Sequence, residues 1–549
     1  MTITRRELLR RAGLLGAATL IPTFSACTSD PAGTDGETGD TGDTGETGET
    51  GEPGDDLPIY EWDGELGPET IFAHSVASGD PLADAVILWT RVSPAVDEPV
   101  ETFFEVALDP EFAMRVAADY IPTTDDSRDY TVKIDVDNLA ADTTYYYRFY
   151  AQGRVSPVGR TRTAASGEVD HLRFGVVSCS SLGHGYFQVY REMSTYDDLS
   201  AVLHLGDYIY EFGTGTYGDI REYDPPYEIV SLDDYRRRYR QYGSDPDLQA
   251  LRAAHPLITT WDDHEITNDG YANGAANHDD ATEGPWAERK AVATQAYFEW
   301  LPIREGVPGR VYRNFAFGDL VDLIVLDTRY EGRDEQVNLA DPDWGTQIYD
   351  ESRKLLGDEQ EAWLYGLLDA STARWKLVAQ QIMVGQMIIT PATNGNPNKP
   401  LFADPWDGYE PDRRRLLGHI RDNAISNVVV LTGDVHSSFA NELTENPLDG
   451  YDPATGEGAV AVEFVTPGVT SPGLGFDDST LAVILANNPH IRFIEALRKG
   501  YMLVDVTTER VEVEFRLYTA QQVGTPEFSA SSFGGRWEVL DGVPRIYEV

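Results

Sequence analysis

Four segments of the chain place metal-ligating side chains directly after an apolar run. The runs end in Ser178-Cys179, in Gly206-Asp207-Tyr208-Ile209-Tyr210-Glu211, in Trp261-Asp262-Asp263-His264-Glu265 and in Gly433-Asp434-Val435-His436. Such runs are typical of buried strands, and layered α/β folds place their chemistry where these strands end. The sequence therefore predicts one metal site that is shared by four strand ends.

The spacing of the side chains favours common ligation. Asp207 and Tyr210 are three residues apart, which brings both to one side of a helical turn. Asp434 and His436 alternate, so in an extended segment they point the same way. A carboxylate can bridge two cations, a phenolate suits a ferric ion, and a deprotonated Cys179 adds a soft ligand. An isolated Cys179 would be interpreted as a small buried hydrophobe, but the other segments favour a ligand.

The third segment concentrates charge after its apolar run, because Asp262, Asp263, His264 and Glu265 follow one another. If these residues were purely structural, several buried charges would lack a partner, which costs free energy. Two bound cations would offset that cost.

Together the four segments resemble the signature of the PhoD family of alkaline phosphatases and phosphodiesterases, a branch of the metallophosphoesterases. The similarity continues through Ala77-Ser78-Gly79-Asp80-Pro81, Leu88-Trp89-Thr90-Arg91, Asp327-Thr328-Arg329-Tyr330, Asp404-Pro405-Trp406-Asp407-Gly408-Tyr409 and Val465-Thr466-Pro467-Gly468-Val469-Thr470-Ser471. It covers nearly everything from Phe72 to the C terminus. Ser180-Ser181 stands where the family more usually has a glutamine after the cysteine.

The resemblance implies a ferric ion together with Ca²⁺, or with Mn²⁺ or another divalent ion. The implied iron ligands are Cys179, Asp207, Tyr210 and His436, with Asp207 bridging to a second metal that Asp263 and Asp434 support. Asp262, Asn268 and His264 are alternatives for further contacts at the metals. The implied reaction is hydrolysis by two-metal activation of water, with no serine nucleophile.

Three residues are predicted to act on the substrate or the water: Asp207, His264 and Arg329. His264 is a candidate proton donor or phosphate contact. The guanidinium of Arg329 can grip two phosphate oxygens, and its alternative is an ion pair with neighbouring Asp327.

The predicted fold class is α/β. We expect a layered, metallophosphoesterase-type mixed β-sheet sandwich flanked by helices over residues 166–549, after a small immunoglobulin- or fibronectin-like all-β domain over 59–165. The predicted strands of the larger domain are 172–177, 201–205, 320–326, 376–381, 428–432, 459–466 and 511–517. Its predicted helices are 233–242, 285–301, 358–369 and 411–423.

Residues 1–27 resemble a twin-arginine export signal, with Arg5-Arg6 before an apolar run that is too short to span a membrane. Phe24-Ser25-Ala26-Cys27 resembles a lipoprotein cleavage box; simple cleavage nearby is the alternative. Residues 28–58 repeat Gly, Thr, Asp and Glu and are predicted to be a disordered linker. We expect a protein at the cell surface, in the periplasm or outside the cell.

The net charge of −49 argues against nucleic acid or an anionic membrane as a partner held by bulk electrostatics. With two cysteines there is no disulfide framework. The expected partner is a phosphate mono- or diester bound by a monomer, with membrane contact only through a lipid at Cys27.

The sequence thus predicts an exported, metal-dependent alkaline phosphatase or phosphodiesterase. A phospholipase D-like phosphodiesterase is one alternative. A noncatalytic binding protein at the cell surface is another, and the intact ligands in all four segments argue against it.

Overall fold

A computed structural model describes residues 57–393 and 397–549. The predicted signal, the cleavage box at Cys27 and nearly all of the predicted linker lie outside these residues. Among the helices of the described residues, none combines the length and the apolarity that crossing a membrane requires.

The first large sheet joins both ends of the described chain. Its strands, in spatial order, are β26 (Ile546–Glu548), β25 (Ser532–Leu540), β24 (Arg510–Tyr518), β23 (Lys499–Thr507), β9 (His171–Val177), β10 (Ala201–His204), β11 (Pro256–Thr259), β1 (Val76–Gly79), β2 (Val86–Arg91) and β5 (Thr131–Val136). β9, β10, β11 and β1 run parallel, and the remaining neighbours are antiparallel. The sheet is therefore mixed, as predicted.

A second mixed sheet lies over the first. Its strands, in spatial order, are β14 (Arg313–Phe317), β15 (Val321–Val325), β16 (Trp375–Gln380), β19 (Val428–Thr432), β21 (Ala461–Val465), β20 (Ser438–Leu443) and β22 (Ile491–Glu495). β15, β16, β19 and β21 are parallel. Two short ribbons pair β12 (Gly270–Tyr271) with β13 (Gly274–Ala275) and β17 (Ile388–Thr390) with β18 (Lys399–Pro400).

The helices of the described residues are α1 (Gln188–Met193), α2 (Leu232–Gly243), α3 (Pro246–Ala254), α4 (Asp280–Glu283), α5 (Trp286–Trp300), α6 (Trp344–Ile348), α7 (Gly357–Ala370), α8 (Glu410–Asp422), α9 (Asp478–Asn487) and α10 (Ala520–Val523). Short 3₁₀ turns occupy Asp126–Arg128, Leu182–His184 and Trp406–Gly408.

The alternation of side chains along the buried strands creates the layers. In β19, Val429 and Leu431 join the apolar core between the two sheets, whereas Val428 and Val430 pack with α7 and α8 on the outer face. On the outer face of the first sheet, α2 and α5 bury a third core that includes Val202. The resulting order of helix, sheet, sheet and helix confirms the predicted layered α/β class.

The N-terminal region is an all-β sandwich, as predicted. β1, β2 and β5 face a second layer formed by β4 (Arg115–Thr124), β3 (Val100–Ala107), β6 (Thr144–Ala151), β7 (Arg154–Val155) and β8 (Gly159–Arg162). Leu88, Val106 and Phe149 fill the space between them. One layer is continuous with the first large sheet, because β1 pairs with β11 in the register Ser78 to Pro256. The exact division at residues 165 and 166 stays a prediction.

The predicted elements of the larger domain are all present, with ends shifted by a residue or two. The predicted strand 428–432 is β19, and the predicted helix 233–242 is α2, Leu232–Gly243. Strands β23 and β25 did not figure among the predictions, although they complete one side of the first sheet.

Candidate metal centre

The four predicted segments follow the carboxyl ends of β9, β10, β11 and β19. β9, β10 and β11 are parallel neighbours in one sheet, and β19 belongs to the other. The two sheets meet at this end, where Ser178 forms an isolated parallel bridge with Gly468. The strand ends therefore converge on one place, which is where parallel sheets carry their sites.

The backbone turns sharply at the predicted ligands. Cys179, Asp207, Asp434 and His436 have φ values of 63°, 55°, 58° and 58°. This left-handed region costs a residue with a side chain on the order of 1 kcal/mol or more, and such residues cluster at functional sites. Gly206 approaches the neighbouring loop so closely that a Cβ there would lie 2.4 Å from the Cβ of Asp262.

Three overlapping groups of side chains have ligand atoms within 4.8 Å of one another. The groups are Cys179, Asp207 and His436; Asp207, Asp263 and His264; and Asp262, Asp263 and Asp434. Asp207 belongs to the first two groups and Asp263 to the last two. The arrangement is a chain of adjoining sites in which single carboxylates can bridge neighbouring cations.

Tyr210 and His436 are oriented toward Asp207. The Tyr210 hydroxyl donates to Asp207 Oδ2 at 2.7 Å and lies 3.3 Å from His436 Nε2. His436 Nδ1 lies 3.1 Å from the carbonyl oxygen of Pro472, so Nδ1 carries the proton and Nε2 is the free ligand atom. Burial raises the pKa of Asp207, but the charge of His264 and the contacts with His436 and the Tyr210 hydroxyl outweigh it and hold that pKa at about 2.

His264 is held by a buried carboxylate. Its Nδ1 lies 2.7 Å from Glu211 Oε2, and Glu211 also accepts a hydrogen bond from the backbone N–H of Asn268 at 2.8 Å. Burial acts to lower the pKa of His264, but Glu211, Asp207 and Asp263 raise it well above its ordinary value. The surrounding carboxylates therefore favour the protonated form of His264. The side chain of Asn268 donates instead to Asp269 at 2.9 Å.

Glu265 ties two of the four segments together, a role that sequence analysis missed. Its carboxylate accepts the backbone N–H groups of Asp207 at 3.1 Å and of Asp262 at 2.7 Å, as well as that of Tyr208. Burial and the charge of Asp207 raise its pKa to about 8, against the effect of these bonds. Its position as the last residue of the third segment could have indicated a role at this site.

Arg329 is fully buried among carboxylates. Its guanidinium donates to Asp262, to both oxygens of Asp404 at 2.8 and 2.9 Å, and to Asp434 at 2.7 Å. The alternative ion pair with Asp327 is wrong, because the guanidinium pairs with Asp262, Asp263, Asp404 and Asp434 instead. Asp327 Oδ1 accepts only the backbone N–H of Arg329, at 2.9 Å. Contact between Arg329 and a phosphate stays a prediction.

Asp404 was missed as a site residue, although its segment carried part of the resemblance. Besides Arg329 it accepts from Arg333 at 2.7 Å and from Gln336 at 2.9 Å. Burial would raise the pKa of Asp404, but the two arginines hold it at about 2.

The donor set fits metal ions. Among the described residues, Asp207 Oδ1 and Asp262 Oδ2 are buried and have no hydrogen-bond partner. Burial and mutual repulsion raise the pKa values of Asp262, Asp263 and Asp434, although Arg329 opposes the change. Added positive charge would satisfy these oxygens, and a thiol, a phenol, an imidazole and carboxylates are ligands for iron and for hard divalent ions.

Fold and site together define a layered α/β protein with a candidate metal centre at the ends of its strands. Two comparisons then give its family. The family model for the PhoD-like phosphatase matches residues 174–515, and that for the PhoD-like phosphatase N-terminal domain matches residues 64–165. The chain belongs to the PhoD-like phosphatase family and is a phosphoric ester hydrolase, which confirms the resemblance.

A sequence relative and a solved structure support this assignment. Alkaline phosphatase D of Bacillus subtilis (strain 168) is 38% identical over 470 residues, which cover 81% of this chain and 77% of that protein. The solved structure described as PhoD is 34% identical and superposes with a TM-score of 0.78 over 90% of this chain and 93% of its own.

Proposed function

We propose that this chain is an exported, metal-dependent alkaline phosphatase or phosphodiesterase that hydrolyses phosphate esters by two-metal activation of water. The observation that carries the proposal is the sharing of Asp207 and Asp263 between adjoining ligand groups. Cys179, Asp207, Tyr210 and His436 would hold a ferric ion. Asp207, Asp263 and Asp434 would hold Ca²⁺, with Mn²⁺ or another divalent ion as the alternative.

When bound, the metal ions supply positive charge at the phosphate and lower the pKa of a coordinated water. His264 would donate a proton to the departing oxygen. Its contact between Nδ1 and Glu211 supports this role, because it leaves Nε2 to face the substrate. Arg329 donates to both Asp262 and Asp434 and would orient their carboxylates toward the metal ions. To bond two phosphate oxygens, the guanidinium would have to give up at least one of its bonds to Asp262, Asp404 and Asp434.

Export rests on the sequence of residues 1–27. We propose passage by the twin-arginine route as a folded monomer, with a lipid at Cys27 as its only membrane contact. Intact mass of the mature protein tests this. An N terminus beyond Cys27, or an unmodified Cys27, would overturn the lipid anchor while leaving the hydrolase proposal intact.

The function is tested by elemental analysis of natively exported protein, followed by assays on p-nitrophenyl phosphate, bis-p-nitrophenyl phosphate and phosphatidylcholine. We expect iron and a hard divalent ion, with turnover of at least one of the first two substrates at alkaline pH. Turnover of phosphatidylcholine alone would favour the phospholipase alternative. Metal-loaded protein that is inactive on all three would favour a binding protein.

A further inference from the structure

An aromatic surface stands beside the candidate metal centre. Tyr217 stacks on Tyr210, with ring centroids 5.3 Å apart and an angle of 21° between the planes. It also lies parallel to the His264 ring, at 6.2 Å and 19°. Tyr217 thus covers two residues that the proposed mechanism uses.

Two further rings extend this surface. Phe212 lies 5.5 Å from Tyr217 and 5.3 Å from His264, and His184 meets Tyr217 edge-on at 4.4 Å. Phe212, Tyr217 and His184 are all partly exposed. We call these three rings the aromatic wall.

Close backbone packing holds Tyr217 in place. A Cβ on Gly183 would lie 2.4 Å from the Tyr217 carbonyl oxygen, and one on Gly218 would lie 2.3 Å from the Gly183 oxygen. Ile220 adds a hydrogen bond of 2.9 Å from its N–H to that same Gly183 oxygen. The segment therefore lies directly on the turn that carries His184, with no room for side chains between them.

The aromatic wall is uncharged, whereas the other side of the site is highly charged. Asp262, Asp263, Asp404 and Asp434 cluster around Arg329, where cations and phosphate oxygens are expected. The wall instead consists of aromatic rings, and burial lowers the pKa of His184 to about 4, so that it is uncharged at neutral pH. A phosphate ester has a corresponding asymmetry, with an anionic phosphoryl group and an organic alcohol group.

We propose that Tyr217 is a specificity-determining residue and that the aromatic wall binds a planar, apolar alcohol group of the phosphate ester by ring stacking. This inference rests on the proposed function. Stacking of paired rings contributes enough to change affinity by about three- to tenfold. The preferred substrates should therefore be esters of aromatic or heteroaromatic alcohols.

Binding of two phosphonates to the metal-loaded protein tests the wall without any chemical step. Phenylphosphonate and methylphosphonate share one head group and differ in the ring. For Tyr217→Ala we expect phenylphosphonate affinity, measured by calorimetry, to fall about three- to tenfold while methylphosphonate stays within about twofold. Tyr217→Phe should match the wild type with both ligands.

Two controls keep the result interpretable. Tyr227→Ala removes an exposed tyrosine from the same segment between β10 and α2, and it should change neither affinity. If Tyr217→Ala does not fold, Tyr217→Leu replaces it, because leucine keeps apolar volume without a ring. We expect this variant also to lose phenylphosphonate affinity. Equal losses for both phosphonates, or no loss for either, would overturn the wall. A metal-loaded wild type that binds neither phosphonate and hydrolyses no ester would instead refute the proposed function, and the wall with it.

Discussion

The hydroxyl of Tyr210 donates a hydrogen bond of 2.7 Å to Oδ2 of Asp207, and both side chains are buried. One chain segment thus brings a phenol and a carboxylate together beside Cys179 and His436. The pair orients Asp207, while its Oδ1 has no hydrogen-bond partner in the part of the chain that the structure describes.

Tyr210→Phe removes this hydroxyl and keeps the ring. We expect at least about a 100-fold loss of iron affinity and a similar loss of turnover, because a ligand and its orienting bond are both removed. Elemental analysis after dialysis, followed by an ester assay, measures both.

Tyr208→Phe is the matched control. The Tyr208 hydroxyl is buried two residues away and lacks a hydrogen-bond partner among the described residues. Its loss should leave metal content unchanged. Retention of full iron content in Tyr210→Phe would contradict the ligand assignment.

Glu265→Gln tests the tie between the loops after β10 and β11. The Glu265 carboxylate accepts three backbone N–H groups with two oxygens, whereas the glutamine amide has one carbonyl oxygen. At least one buried N–H therefore loses its partner in the variant. We expect a loss of about 1–3 kcal/mol in the free energy of unfolding, measured in urea. Glu288→Gln, at an exposed position on α5, should change it little. Equal stability of the two variants would argue against the tie.

Arg329→Met tests whether the arginine offsets the charge of the acidic cluster. Without metal, the variant should lose about 3–5 kcal/mol of stability, because Asp262 and its neighbours are left buried without a cation. Added Ca²⁺ should raise its melting temperature more than that of the wild type. Arg310→Met breaks an exposed pair with Glu359 and should cost about 1 kcal/mol or less. A variant indifferent to Ca²⁺ would contradict this role.

The buried His490 should lower the free energy of unfolding at acid pH. Burial, with Arg413 nearby, lowers its pKa to about 3 from an ordinary 6.5, and within the described residues neither ring nitrogen has a hydrogen-bond partner. As pH falls, the unfolded chain therefore takes up this proton first. Stability is full above about pH 6.5 and falls toward pH 3, by at most about 1.4 kcal/mol per pH unit for this group.

His490→Leu cannot take up that proton, so its stability should decline less steeply between pH 6.5 and pH 4. Urea midpoints at four pH values measure the two slopes. Parallel curves for wild type and variant would show that His490 does not contribute.

Much of the fold followed from local pattern. The apolar runs before the four segments became β9, β10, β11 and β19, because a strand buried on both faces has a continuous apolar sequence. The helix predicted over 233–242 is Leu232–Gly243, and a capping box at Ser231 and Asp234 begins it. Periodicity did not reveal the order of strands, which depends on contacts between distant segments.

The site was predicted less completely than the fold. Cys179, Asp207 and His436 form one group, and Asp263 and Asp434 belong to an adjoining one. Arg329 was singled out, but its partners Asp262, Asp404 and Asp434 lie far from it in sequence. The contacts of Tyr217 were not predicted, because a single tyrosine in a glycine-rich loop does not indicate which residues its ring will contact.

The sequence by itself determined the chemical types at the strand ends, the strands before them and the family. Those properties depend on local periodicity and on residue identity at short spacing. Only the tertiary structure decided that Glu265 bonds the backbone of Asp207 and that Arg329 joins three carboxylates. It also decided that Tyr217 stacks on Tyr210. Such contacts form when two sheets pack and bring separate loops to one edge, and the spacing of residues along the chain does not encode that distance.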